Sequence, residues 1–77
     1  MTIYKVGYWH KHGDDEYFHL SEEGAKATLA GLAKKNAKEW GEPDPETLQK
    51  SLDLADKWED ITGGHEGMGY HEVEVRE

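Results

Sequence analysis

The segment IYKVGYWHKHGDDEYFHL, residues 3–20, decides the fold because it has the pattern of two strands joined by a turn. Tyr4, Val6 and Tyr8 fall at every second position, which is typical of a strand with one covered face. An aromatic-rich composition that favours extended structure resumes at residues 17–20. The segment therefore predicts a β-hairpin.

The turn of this hairpin is predicted at GDD, residues 13–15, since Gly accepts positive φ and Asp can hydrogen-bond its own backbone. A three-residue loop there pairs Tyr8 with Leu20. It also pairs His10 with Phe18, so that one face of the hairpin becomes apolar. The opposite face is then expected to carry Trp9, Lys11, Tyr17 and His19.

Two helices are predicted after the hairpin. Ser21 is placed to cap the first, and Gly41 to end it. Asp44 is the expected N-cap of the second helix, with Pro45 at its first position, and the glycine pair at 63–64 stops it. Apolar residues recur at three- and four-residue steps in both helices. The stripe of the first helix consists of Ala25, Leu29, Leu32, Ala33, Ala37 and Trp40, and that of the second consists of Leu48, Leu52, Ala55 and Trp58. Trp40 and Trp58 are therefore expected in the core.

A third strand is predicted over residues 70–77, after a loop GGHEGMG that is expected to be mobile, with Met68 as an adaptable apolar contact. The fold predicted for residues 1–77 is a single α+β domain of order β-β-α-α-β, a three-stranded β-sheet with two helices packed on one face. The pattern leaves the strand order undetermined, and the third strand could lie antiparallel to the second or parallel to the first. The covered face is expected to carry Tyr4, Val6, Tyr8, Phe18, Leu20, Val73 and Val75.

Charge is distributed unevenly along these 77 residues, whose formal net charge is −8. Residues 1–38 contain six basic and five acidic side chains, whereas residues 39–77 contain three and twelve. Such an acidic half repels nucleic acid, which is bound by clustered Lys and Arg. We therefore expect a basic protein partner and no direct contact with nucleic acid. No apolar run has the length of a signal peptide core or a membrane span, so a cytoplasmic protein is expected.

The strongest candidate for a functional surface is a set of carboxylates on the second helix. Asp53, Asp56 and Asp60 recur at spacings of three and four residues, with Glu59 beside them. Joined by Glu72 and Glu74 on the third strand, they imitate the spacing of charge on nucleic acid and attract proteins with basic sites. The alternative is that the acidic excess only maintains solubility. Two aromatic side chains are expected to anchor the partner: Trp9 and Tyr17.

No recognisable catalytic motif or cofactor-binding motif occurs in the chain. Cys is absent, and neither Ser lies in a nucleophile elbow. The sequence thus favours a non-enzymatic binding protein without a cofactor.

Two alternatives of another class remain open. His10 and His12 alternate on a strand, so they are expected to point the same way, and His71 with Asp14 or Asp15 could complete a divalent-metal site. The second alternative is a homodimer formed through the uncovered face of the sheet.

The chain resembles the small acidic accessory proteins that bacteriophages and other mobile elements encode. The resemblance rests on the opening strand TIYKVGYW, the acidic turn into EYFHLSEEGAKA at a helix start, and the closing strand VEV. It extends to the general layout of the whole chain. Members of that group are often inhibitors of host defence or of host nucleic-acid-handling machinery, and anti-CRISPR proteins are the best-populated example. The resemblance implies an inhibitor that acts in the host cytoplasm.

Overall fold

The sheet is formed by two strands of a hairpin and by a third strand that follows the helices. The computed structural model describes residues 1–76. Its elements in chain order are β1 (Thr2–His10), β2 (Gly13–His19), α1 (Glu22–Glu39), α2 (Leu48–Asp56), α3 (Trp58–Ile61) and β3 (Gly67–Glu74). The α+β class and the three-stranded sheet are confirmed. The second predicted helix is divided at Lys57 into α2 and the single turn α3.

Strand β1 is central, with sheet order β2-β1-β3. Both neighbours run antiparallel to it. Both arrangements considered from the sequence, with β3 antiparallel to the second strand or parallel to the first, are therefore wrong. Gly63 and Gly64 adopt positive φ angles of 64° and 86° directly after α3, and this left-handed backbone lets the chain reverse there.

The register of the hairpin differs from the prediction because its turn comes earlier. Only Lys11 and His12 lie between the strands, and Gly13, with φ 127°, opens β2 opposite His10. The predicted three-residue loop at 13–15 is therefore wrong, and Tyr8 pairs with Asp15 instead of Leu20. The displacement from the predicted pairing is an odd number of residues, so it inverts the two faces of β2.

The inversion changes which side chains meet the helices. Phe18 and Leu20, predicted to be covered, are 59% and 75% exposed. Tyr17 and His19 lie instead on the helix side, paired with Val6 and Tyr4.

The side chains of β3 that were predicted to face the helices also lie on the other side of the sheet. Val73 pairs with Ile3 on the open side of the sheet, and Val75 continues that side beyond the end of the strand. Met68 and Tyr70 occupy the helix side, opposite Tyr8 and Val6, and both pack against the core.

The core lies between β1 and two helices that present small residues to it. Val6 is fully buried against α1 and α2, where short side chains allow the backbones to approach closely. The cluster consists of Val6, Ala25, Leu29, Ala33 and Ala55, bordered by Tyr4, Leu32, Leu52, Leu54, Met68 and Tyr70. Trp58 is fully buried as predicted, whereas Trp40 is exposed and meets the Trp58 ring edge-on, with 6.2 Å between centroids.

The helix caps follow the predicted chemistry with one change of residue. The Ser21 hydroxyl accepts from the Gly24 N–H at 3.1 Å, as expected. Thr47, and not Asp44, caps α2, because its hydroxyl accepts from the Lys50 N–H at 3.1 Å. Within residues 1–76, none of the helices combines the length and the apolar character needed to cross a bilayer.

Candidate protein-binding surface

Four carboxylates on α2 and α3 form what we call the acidic face: Asp53, Asp56, Glu59 and Asp60. All four residues are exposed. The regular spacing along α2 places Asp53 and Asp56 as neighbours on one helical surface. Lys57, where α2 gives way to α3, lies between the two pairs in sequence.

The acidic face has no cationic partner among the residues that the structure describes. The Asp53 carboxylate accepts a hydrogen bond from Gln49 Nε2 at 3.0 Å, and Lys57 forms no ion pair with any of the four. Carboxylates elsewhere do pair with lysines, as Glu16 does with Lys5 at 2.8 Å. The acidic face therefore keeps its charge available to an external cation.

The two glutamates predicted to extend this surface differ in their surroundings. Both lie on the helix side of β3, where Glu72 is exposed opposite Tyr4. Glu74 accepts from Thr2 Oγ1 at 2.9 Å and from the N-terminal ammonium at 3.2 Å. Only Glu72 is thus free of such a partner within residues 1–76.

Trp9 and Tyr17, predicted as anchors on one face, lie on opposite sides of the sheet. Trp9 is 40% exposed on the open side, and its indole covers Gly67 of β3 so closely that a Cβ on Gly67 would overlap it. Tyr17 is 39% exposed on the helix side, so the two rings do not form one patch.

A groove connects Trp9 with the acidic face. It has a volume of about 430 Å³, and Gly7 and Gly69 also line it. Asp56 and Glu59 line it from the helix side. The glycines of β3, assigned to a mobile loop from the sequence, are therefore part of the candidate surface. Their alternation in GMG, with period two, is the signal that could have identified a strand.

Glu66 joins the loop before β3 to its neighbours, and residues 67–69 of GGHEGMG, predicted as part of a loop, belong to β3. Glu66 Oε1 accepts from the Tyr8 hydroxyl at 2.6 Å and from Trp58 Nε1 at 3.0 Å. Its backbone N–H donates to Thr62 Oγ1 at 3.0 Å. Burial, reinforced by the hydrogen bond to Glu66, raises the pKa of the Tyr8 phenol well above its usual range. These bonds join β1, α3 and the start of β3, and so hold the groove in place.

An apolar strip occupies the far end of the open side. Phe18 and Leu20 are exposed there at the end of β2, and Met1 and Val75 are exposed at the adjoining ends of β1 and β3. This strip is the strongest structural support for the homodimer alternative.

The histidines are not arranged as the metal-binding alternative requires. His12 lies in the turn, where its N–H donates to His10 Nδ1 at 3.2 Å. His10 Nε2 lies 3.0 Å from Asp15 Oδ2, so both ring nitrogens of His10 are occupied. His71 lies opposite Lys5, on the other side of the sheet. Among residues 1–76 no three His, Cys, Asp or Glu side chains are grouped to hold a metal ion.

Comparison of this chain with protein-family models, with curated proteins and with solved structures found no match in any of the three.

Proposed function

We propose that this protein is a non-enzymatic binding protein that docks its acidic face on a basic surface of another protein and thereby blocks that surface. The observation that carries the proposal is the set of four exposed carboxylates of α2 and α3 without a lysine partner. A basic site that normally holds nucleic acid is the partner with the matching charge.

The position of the charge supports binding over general solubility. Carboxylates that only keep a protein soluble are expected to be interspersed with lysines, as Glu22 is with Lys26 at 3.1 Å on α1. Lys57 lies among the carboxylates of α2 and α3 but forms no ion pair with them, and two of the four, Asp56 and Glu59, line a groove that also contains the Trp9 ring. An exposed indole beside a charged surface is a typical anchor of a protein interface.

The proposed consequence for the partner is competitive loss of nucleic-acid binding. This is the mode of action that the resemblance to phage-encoded inhibitors of host defence, such as anti-CRISPR proteins, implies. The protein would then act stoichiometrically and without a cofactor, in the cytoplasm of the host cell.

Affinity capture tests this function. Immobilised protein is incubated with a bacterial lysate treated with nuclease, at low and at high salt. We expect recovery of a nucleic-acid-binding protein at low salt and reduced recovery at high salt, because screening weakens exposed charge pairs. The recovered protein should then lose affinity for its nucleic acid as our protein is added. Recovery of a partner whose nucleic-acid binding is unchanged would contradict the inhibitory function.

A second candidate is a homodimer formed through the open side of the sheet, which the exposed apolar strip favours. Phe18 and Leu20 would be covered in such a dimer. Light scattering separates the two candidates: a monomer at micromolar concentration excludes the homodimer, whereas a dimer that Phe18→Ser converts to monomer supports it.

A further inference from the structure

Strand β3 has one edge that pairs with nothing in the part of the chain that the structure describes. It pairs with β1 on one side, and the sheet order places no strand on the other. No backbone hydrogen bond from the outer edge of Gly67–Glu74 reaches a loop or helix within residues 1–76. The outward N–H and C=O groups of this strand are therefore free to bind a further strand.

Three devices that often protect an edge strand, namely Lys, Pro and a bulge, are missing from β3, whose charged residues are Glu72 and Glu74. Its sequence, GMGYHEVE, contains neither Lys nor Pro. Its register with β1 is continuous from Thr2 to Trp9, so no bulge turns the edge away. At Gly69 no atom lies within 4 Å of where a Cβ would be, so one face of the strand is uncovered there.

Carboxylates of the acidic face border this edge on the helix side. Asp53 and Asp56 line a hollow of about 370 Å³ together with residues 68–70 of β3. Asp56 and Glu59 line the adjoining groove together with residues 67–71. Glu72 lies exposed on the same side of the strand. A strand added beside β3 would send every second side chain towards these carboxylates.

We propose that the free edge of β3 binds an extended segment of a basic protein by strand addition, with Lys or Arg at alternate positions facing Asp53, Asp56, Glu59 and Glu72. The inference rests on the proposed function and specifies how its partner binds. Backbone hydrogen bonds fix the segment in register, and the carboxylates select its side chains.

The charges select this occupant over a second copy of the chain. Two antiparallel β3 edges in one continuous sheet would place the acidic faces of both molecules side by side. Each chain carries a formal net charge of −8, so that arrangement is repulsive. A lysine-bearing strand meets the same edge with complementary charge.

Three synthetic peptides test strand addition against simple charge attraction. The first is a ten-residue peptide of alternating Lys and Thr. The second and third carry N-methyl groups on all Lys amides or on all Thr amides, which blocks backbone donors along one edge of the peptide and preserves its charge. Affinities are measured by isothermal titration calorimetry, and backbone amide exchange of residues 67–74 is followed by NMR with and without the first peptide.

We expect the unmethylated peptide to bind and to slow amide exchange at alternate residues of β3. The methylated peptide that loses its donors towards β3 should bind at least about tenfold more weakly than the unmethylated one, a difference that corresponds to roughly one or two hydrogen bonds. The other methylated peptide should bind nearly as well as the unmethylated one. Equal affinities for all three peptides without protection of β3 would overturn strand addition and leave the charge-based function intact. Binding of none would contradict both. A dimer in the peptide-free sample with β3 already protected would show a second copy as the occupant and overturn the proposal.

Discussion

The Tyr8 hydroxyl lies 2.6 Å from Glu66 Oε1, a hydrogen bond that joins the central strand to the residue immediately before β3. The same hydroxyl lies 2.9 Å from Asn36 Oδ1 of α1, and Trp58 Nε1 donates to the same Glu66 oxygen. The side chains of Tyr8 and Glu66 thus connect β1, α1, α3 and the loop before β3. This network positions the start of β3, and with it the groove and the free edge.

Replacing Tyr8 by Phe should lower the free energy of unfolding by about 1–2 kcal/mol, because the part-buried Glu66 carboxylate loses the proton that the Tyr8 hydroxyl donates to it. For a domain of this size the melting temperature should fall by about 4–8 °C per kcal/mol. Tyr4→Phe is the matched control, since the Tyr4 hydroxyl has no hydrogen bond within residues 1–76 and its ring also borders the core. Equal melting temperatures for the two variants would show that the Tyr8 hydrogen bonds do not stabilise the fold.

Stability should also decrease in alkali through Tyr8. Burial and the bond to Glu66 raise the pKa of the folded phenol above the unfolded value of about 10. The unfolded chain therefore releases this proton first, and the contribution of Tyr8 is complete below about pH 10 and is lost as pH rises towards the folded pKa. Urea unfolding from pH 8.5 to 11.5 should show the stability gap between wild type and Tyr8→Phe closing across that window. A gap independent of pH would contradict the raised pKa.

Gly67→Ala should destabilise the protein by roughly 1–3 kcal/mol, because the added methyl group would overlap the Trp9 indole. The ring must then leave its position over β3, which should shift the Trp9 indole N–H resonance in NMR spectra. Gly69→Ala is the control on the same strand, since its Cβ meets no atom within 4 Å. An unmoved Trp9 resonance in Gly67→Ala would show that the groove is not arranged as described.

Gly31→Ala should have the opposite effect on stability. Gly31 is exposed on α1, and a Cβ there meets no neighbouring atom within 4 Å. Ala favours a helix interior by about 1 kcal/mol over Gly, so the urea midpoint should rise. A lowered midpoint would indicate that α1 depends on a close approach at this position.

Local chemistry was enough to predict the order of strands and helices, but not the division of the second helix at Lys57 or the start of β3 at Gly67. Ser21 caps α1 through its own side chain, and the period-two pattern around Val6 identifies a strand with one covered face. Such features depend on residues near one another in sequence, so the sequence alone contains them.

The register and the site depended on distant contacts. Gly13 was placed inside the turn, but it comes after a two-residue turn and itself adopts a positive φ. Asp15, also placed in the turn, belongs to β2, where its carboxylate contacts the His10 ring. The Glu66 network joins residues up to 58 positions apart, so the sequence around GGHEGMG indicated only a loop. Asp53 and Asp56 could be placed on one helical face from their spacing. Their position beside the edge of β3 could not, since it follows from the reversal after α3.

Charge reversal on the acidic face tests the central claim most directly. Asp53→Lys, Asp56→Lys and Asp60→Lys are combined in one variant. The control combines Glu42→Lys, Asp44→Lys and Glu46→Lys in the exposed connector between α1 and α2, so both variants have the same net charge. Wild type and both variants serve as baits in one lysate, with folding checked by circular dichroism. The account predicts that recovery of the partner falls at least about tenfold for the acidic-face variant and stays near wild type for the control. Equal recovery by the two variants would contradict it.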